Sequence, residues 1–225
     1  MAKAADAFIF PTQLLNESVN DANKPFSVVH GTYQIEQNRS ARFNDGKIHV
    51  VYAGTLDPRK GGGVAAAASA EFLPENYHVH ILGFGSEAQI ADMKQLVAEV
   101  AQKSKANITY DGVLSGEDYI RFIQSCDIGL STQNPDAAFN ATSFPSKILS
   151  YMANGLRVVS VRIDAVETSA VADLITYYDE QTPEAIAKAI TDVDMSAPYD
   201  SRARIAELDA RFREELKRLI EANRA

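Results

Sequence analysis

Lys47–Gly62 reads KIHVVYAGTLDPRKGG, and this stretch decides the fold. Ile48–Ala53 is a short β-branched and aromatic run, the signature of a buried strand. A glycine, proline and basic loop follows, and then a small-residue helical stretch, Gly62–Phe72. Strand, loop, helix is one βα unit. Working outward, the same alternation repeats. Strands are predicted at His78–Leu82, Asn107–Tyr110, Ile128–Ser131, Arg157–Val161 and Leu174–Tyr178. Helices are predicted at Ala88–Gln102, Glu117–Ser125, Pro145–Ala153 and Pro183–Ile190. This predicts an α/β fold with a doubly wound parallel sheet. Ser115 with Asp118 reads as a capping box, and Thr182 before Pro183 as an N-cap with proline in the first turn. Ligands of such sheets bind outside the carboxyl ends of the strands, so the loops there are the places to search.

Upstream, a smaller unit is expected: a strand near Ala7–Phe10, a helix over Gln13–Asn20 and a strand at Phe26–Val29. The polar stretch Glu36–Gly46 reads as a linker. Downstream of Asp194 the pattern breaks, and a helix from about Arg202 carries the apolar stripe Ile205, Leu208, Phe212, Leu216 and Leu219. The expected divisions are therefore 1–46, 47–194 and 195–225. The chain has 225 residues and a net charge of −8, which argues against nucleic-acid or anionic-membrane surfaces because both require clustered positive charge. The single cysteine, Cys126, sits in an apolar stretch and reads as a buried hydrophobe. No apolar run approaches the ~20 residues of a membrane span, and the start lacks a signal-peptide core, so a cytoplasmic location is expected. His49, His78 and His80 read as packed or edge histidines; no compact acid or histidine cluster is visible, and no metal is implied.

Three strand-end loops carry the chemistry. In Gly54–Gly61, Arg59 and Lys60 precede a glycine-rich helix start, where free amides and the helix dipole favour an anion. Gly83-Phe84-Gly85-Ser86-Glu87-Ala88 satisfies the short dinucleotide fingerprint, with Asp111 closing the next strand. An NAD- or FAD-dependent oxidoreductase domain is the alternative reading that this supports, and a non-catalytic nucleotide-binding partner subunit is a further one. In Asn140–Gly155, Pro145 suits a helix start and Gly155 a helix stop. Ile148, Leu149 and Met152 face the core, whereas Ser143, Lys147, Ser150 and Asn154 form a polar stripe. That stripe, with Lys147 exposed, is expected to meet a diphosphate and its ribose.

In this order the segments VYAGTLDPRKGG, ILGFGSE, ITYDGVLSGEDYIRFIQSCDIGLS and FPSKILSYMANGLRVVS resemble the C-terminal domain of retaining, group 1 glycosyltransferases of the GT-B build. The resemblance runs from about Lys47 to Ile190. It implies a nucleotide-sugar-binding domain, transfer of a hexosyl group with retention, and a place in polysaccharide or glycoconjugate synthesis. Beyond the donor substrate it implies no cofactor. The diphosphate falls to Thr55, Arg59, Lys60, Ser143, Ser146 and Lys147, and the nucleoside to Gly83, Phe84, Asp111, Val113, Leu114 and Ser150. Two features depart from the family pattern. Thr55 stands where the family usually has arginine, and Thr142 and Ser150 stand where it often carries two glutamates. Asp6–Gln34 resembles the last βα unit of the family's acceptor domain. The rest of that domain is expected on a longer parent chain or a partner, and this chain alone is expected to be inactive.

Overall fold

A computed structural model describes residues 5–39, 42–57, 59 and 62–222 of the chain. Its centre is a six-stranded, all-parallel sheet. In chain order the strands are β3 (Ile48–Thr55), β4 (Tyr77–Phe84), β5 (Asn107–Gly112), β6 (Ile128–Ser131), β7 (Arg157–Val161) and β8 (Ile175–Tyr178). In space they run β5-β4-β3-β6-β7-β8. The chain therefore winds outward from β3 in one direction and then restarts on its other side, giving a doubly wound sheet with its switch point between β3 and β6. Helices cover the two faces: α2 (Gly62–Ser69), α3 (Glu87–Lys103), α4 (Gly116–Ser125), α5 (Ser146–Ala153), α6 (Asp164–Glu167) and α7 (Pro183–Thr191). Because both faces are covered, Val50, Val51, Val79, Ile81, Ile128, Leu130, Val159 and Val161 are all fully buried. That is why adjacent strand residues such as Val50 and Val51, or Val158 and Val159, are apolar on both faces.

Helix ends follow local chemistry, with one correction. Thr182 caps α7 by accepting from the Ala185 amide at 3.2 Å, as read from the sequence. Ser115 makes no side-chain cap; Gly116 follows it at φ +56°, and the hydroxyl is left without a bond to the first amides of α4. The capping box instead lies at the start of α3, where Ser86 and Gln89 bond each other's backbone. Gly155 does stop α5: at φ +86° it lets its own amide bond Met152 O and the Leu156 amide bond Tyr151 O, both at 3.0 Å.

The upstream unit forms its own sheet, β1 (Phe8–Phe10) paired parallel with β2 (Phe26–Val28) across α1 (Gln13–Val19). The terminal helix α8 (Ser201–Ala222) starts against α5 and runs onto this unit. Ile205 and Leu208 are buried near its start, and Glu215 accepts from the Ser27 hydroxyl at 2.6 Å. The polar stretch between the two sheets packs down firmly. Gln124 accepts from the Arg39 amide at 2.7 Å and donates to Gln37 O, while the Arg202 guanidinium bonds Glu36 O. Cys126 is buried, and burial pushes its thiol well up, as expected of an inert core position. Among the described residues no helix is long and apolar enough to cross a membrane.

Candidate functional site

At the switch point β3 and β6 pair only at Val50–Ile128 and Val51–Gly129, then part toward their carboxyl ends. Tyr151 of α5 wedges this opening. Its ring lies so close over Gly129 that a β-carbon there would come within 2.4 Å of it. Its hydroxyl accepts from the Ala53 amide at 2.9 Å and donates to Leu130 O at 3.3 Å. Tyr151 therefore satisfies backbone groups of both strands that the split would otherwise leave unpaired, and fixes α5 beside the gap.

Two adjoining depressions open above it, and Gly54 lines both. Gly54 pairs in register with Gly83, and any side chain at Gly83 would strike Gly54 O at 2.8 Å. This glycine pair keeps the rim low. The first depression, about 270 Å³, is lined by Tyr52, Thr55, Gln133, Phe139, Asn140, Ser143, Ser146 and Lys147 among others. The second, about 210 Å³, is lined by Gly83, Phe84, Val113, Leu114 and Tyr119. A larger cavity of about 430 Å³ lies between β2, α6 and α8. There Glu215 already bonds both Ser27 and Arg211.

The first depression is different. Gln133 is buried and accepts from Ser131 at 2.8 Å through Oε1, yet its Nε2 is buried without any hydrogen-bond partner among the described residues. Lys147 makes no ion pair among the described residues; its ammonium lies 4.0 Å over the Tyr52 ring and presses against Gly54. Burial lowers the Lys147 amine to about 8. Pro145 at the N-cap has no side-chain oxygen to offer, so the first amides of α5 are also uncapped. A lysine in a first helical turn opposes the helix dipole. Three kinds of donor thus face one cavity with too few acceptors, which suits a compact anion.

The expected site residues divide cleanly. Thr55, Ser143, Ser146 and Lys147 line the first depression, and Gly83, Phe84, Val113 and Leu114 the second. Arg59, Asp111 and Ser150 line neither. Arg59 is exposed and forks onto Asp57. Asp111 accepts from Thr109 at 2.8 Å and from His80 at 3.1 Å. Ser150 bonds the Tyr119 hydroxyl. Lys60 lies outside the described residues.

The polar stripe is solvated only at Ser143. Asn154 is buried and accepts from Gln124 at 3.0 Å, and Lys147 is half-buried against the Tyr52 ring rather than exposed. Gln133 and Phe139, in the first depression, and Tyr119 of α4, in the second, were not legible as site residues, because tertiary packing rather than a local motif brings them there. The histidines also differ from expectation: His49, His78 and His80 come together as a compact cluster.

The family model for group 1 glycosyl transferases matches residues 47–193, the span of the doubly wound sheet. The chain belongs to this family. Among solved structures, similar folds include the lipopolysaccharide outer core galactosyltransferase WaaB, at 17% identity and a TM-score of 0.66, covering 97% of this chain and 62% of WaaB. Anabaena HepE in complex with UDP is similar at 16% identity and a TM-score of 0.63, covering 96% of this chain and 65% of HepE. AviGT4, a glycosyltransferase involved in avilamycin A biosynthesis, is similar at 14% identity and a TM-score of 0.60, covering 95% and 63%. These likenesses establish a GT-B fold for this group 1 glycosyl transferase chain, which spans 62–65% of the length of the three proteins. No protein of curated function matches its sequence.

Proposed function

We propose that the chain is the donor-binding half of a retaining glycosyltransferase and holds a nucleoside-diphosphate sugar across the two depressions. The diphosphate lies at the start of α5 against Lys147, Gln133 and the free amides. The nucleoside lies in the neighbouring groove between Gly83–Phe84 and Val113–Leu114. The observation that carries this reading is a pair of donors in one cavity at a helix start: among the described residues Gln133 Nε2 has no hydrogen-bond partner and Lys147 Nζ no ion-pair partner. Family membership and the complex of the similar HepE fold with UDP support it. The chain's part in catalysis is positioning the donor and stabilising charge as the diphosphate departs. The group transferred is a hexosyl, and the acceptor-binding surface falls to the portion of such enzymes that this chain does not span.

The dinucleotide alternative is less well served by the same surface. The start of α3 spends the Ser86 and Gln89 amides on its own capping box, and Gln89 Oε1 sits where a side chain at Gly85 would go, 2.6 Å from its β-carbon position. Little is left there for a pyrophosphate. Calorimetric titration with UDP, GDP, ADP and NAD separates the readings. At least one nucleoside diphosphate is expected to bind and to raise the melting temperature by mass action, with NAD inert. Binding of NAD alone would overturn the proposal.

A further inference from the structure

A second constellation lies away from the donor depressions, on one face of β3, β4 and β5. His49, the second residue of β3, lies five residues before Gly54, ~17 Å along the strand. The β3–β4 register sets His49 opposite His78, with His80 two residues further along the same face. Phe43 from the linker stacks on His49 and His80, at centroid distances of 4.0 and 5.4 Å, and Phe122 of α4 meets His80 edge-on. His49 and His80 are almost wholly buried, whereas His78 is only partly covered.

The hydrogen bonds fix the tautomers. Carboxylates accept only, so His49 Nε2–H donates to Asp45 at 2.9 Å and His80 Nδ1–H donates to Asp111 at 3.1 Å. Each neutral ring then keeps its lone pair on the other nitrogen. Those two nitrogens, His49 Nδ1 and His80 Nε2, face each other at 2.9 Å. Two lone pairs cannot face each other at that distance unless a cation lies between them, either a proton or a metal ion. His78 bears on which. The Thr109 hydroxyl spends its hydrogen on Asp111, so it accepts from His78 Nε2–H at 3.1 Å and leaves the lone pair on His78 Nδ1. One nitrogen from each of the three rings lies within 4.8 Å of the others.

We propose that His49, His78 and His80 form a binding site for one divalent transition-metal ion of the zinc class. Neutral imidazole suits such ions, and each ring already has the outer oxygen partner, Asp45, Asp111 or Thr109, that orients ligating histidines. With metal–nitrogen bonds of about 2.0–2.1 Å, tetrahedral ligands lie about 3.3 Å apart. His49 and His80 therefore need to separate by only a few tenths of an ångström. His78, partly exposed and stacked on His80 at a centroid distance of 3.9 Å, is the ring that must turn its nitrogen inward. A bound ion would pin the linker residues Phe43 and Asp45 to the sheet. The remaining histidine does not compete, since its ring nitrogens engage Pro11 O and the Ala170 amide.

The test uses the tag-free 225-residue chain, stripped with chelator and titrated with Co²⁺ as a visible probe, followed by Zn²⁺. The wild type is expected to take up one Co²⁺ with the visible absorption of a nitrogen-ligated ion, to lose that absorption to Zn²⁺, and to melt at a higher temperature when loaded. His78→Ala, at a partly exposed position that leaves the packed pair intact, is expected to bind at least tenfold more weakly. No uptake by a folded wild type would mean that His49 and His80 share only a proton, and would overturn the site. Undiminished uptake by His78→Ala would overturn it equally.

Discussion

Two helix starts at the carboxyl edge of the sheet, those of α3 and α5, present opposite solutions to the same problem. Every helix begins with amides that lack intrahelical partners. At α3 the chain satisfies them itself, through the reciprocal Ser86–Gln89 box. At α5 it does not: Pro145 offers no cap, Lys147 adds positive charge where the dipole is already positive, and Gln133 brings one more unpaired donor. From sequence, both loops look like anion sites. What separates them is what the fold leaves unsatisfied.

The comparison can be broken most forcefully through the wedge that positions α5. Gly129→Ala would drive a β-carbon to 2.4 Å from the Tyr151 ring, deep in the sheet. A loss of about 3 kcal/mol or more in unfolding free energy is expected, together with loss of nucleotide binding. A denaturant melt reads this directly; an unchanged midpoint would mean that Tyr151 can move and does not hold the site. Next comes Lys147→Met, which keeps the bulk and removes the charge. Nucleoside diphosphate should bind about ten- to a hundredfold more weakly, the value of a charge-assisted contact of about 1.5–3 kcal/mol. Without ligand the variant should be the more stable by about 1 kcal/mol, because a half-buried ammonium with no anion is relieved. The smaller effect belongs to α3. Ser86→Ala should cost about 1 kcal/mol of stability and leave nucleotide affinity untouched. Weakened nucleotide binding in Ser86→Ala would show that the capped start also serves the ligand.

How far the sequence could be read follows from the range of the interactions involved. The parallel sheet was legible because strands buried on both faces leave continuous runs such as Ile48–Ala53 and Arg157–Val161. The Gly155 stop and the Thr182 cap were legible because their partners lie within a turn. The cap at Ser115 failed on one local detail, the positive φ of Gly116. Lys147 was read as exposed because its cover, Tyr52, comes from a strand far upstream in the chain. Gln133 carries no motif; it joins the site only because β6 lies beside β3. The histidine cluster depends likewise on the strand register that sets His49 opposite His78, which no spacing within either strand reveals.

The central claim, that α5 receives the diphosphate through Lys147, is tested most directly by nucleotide affinity as a function of pH. In the free chain burial lowers the Lys147 amine to about 8, so the group is mostly charged below that pH and mostly neutral at pH 9. A bound diphosphate favours the ammonium and raises its pKa, so binding above pH 8 must take up a proton. Titrated with the nucleoside diphosphate that binds best, the wild type should lose only about twofold in affinity between pH 7 and 8. Above pH 8 affinity should fall by up to about tenfold per unit, with proton uptake visible as a dependence of binding heat on the buffer. Lys147→Met should be weaker throughout and flat over the same range. A flat profile in the wild type, or the same decline in Lys147→Met, would contradict the account.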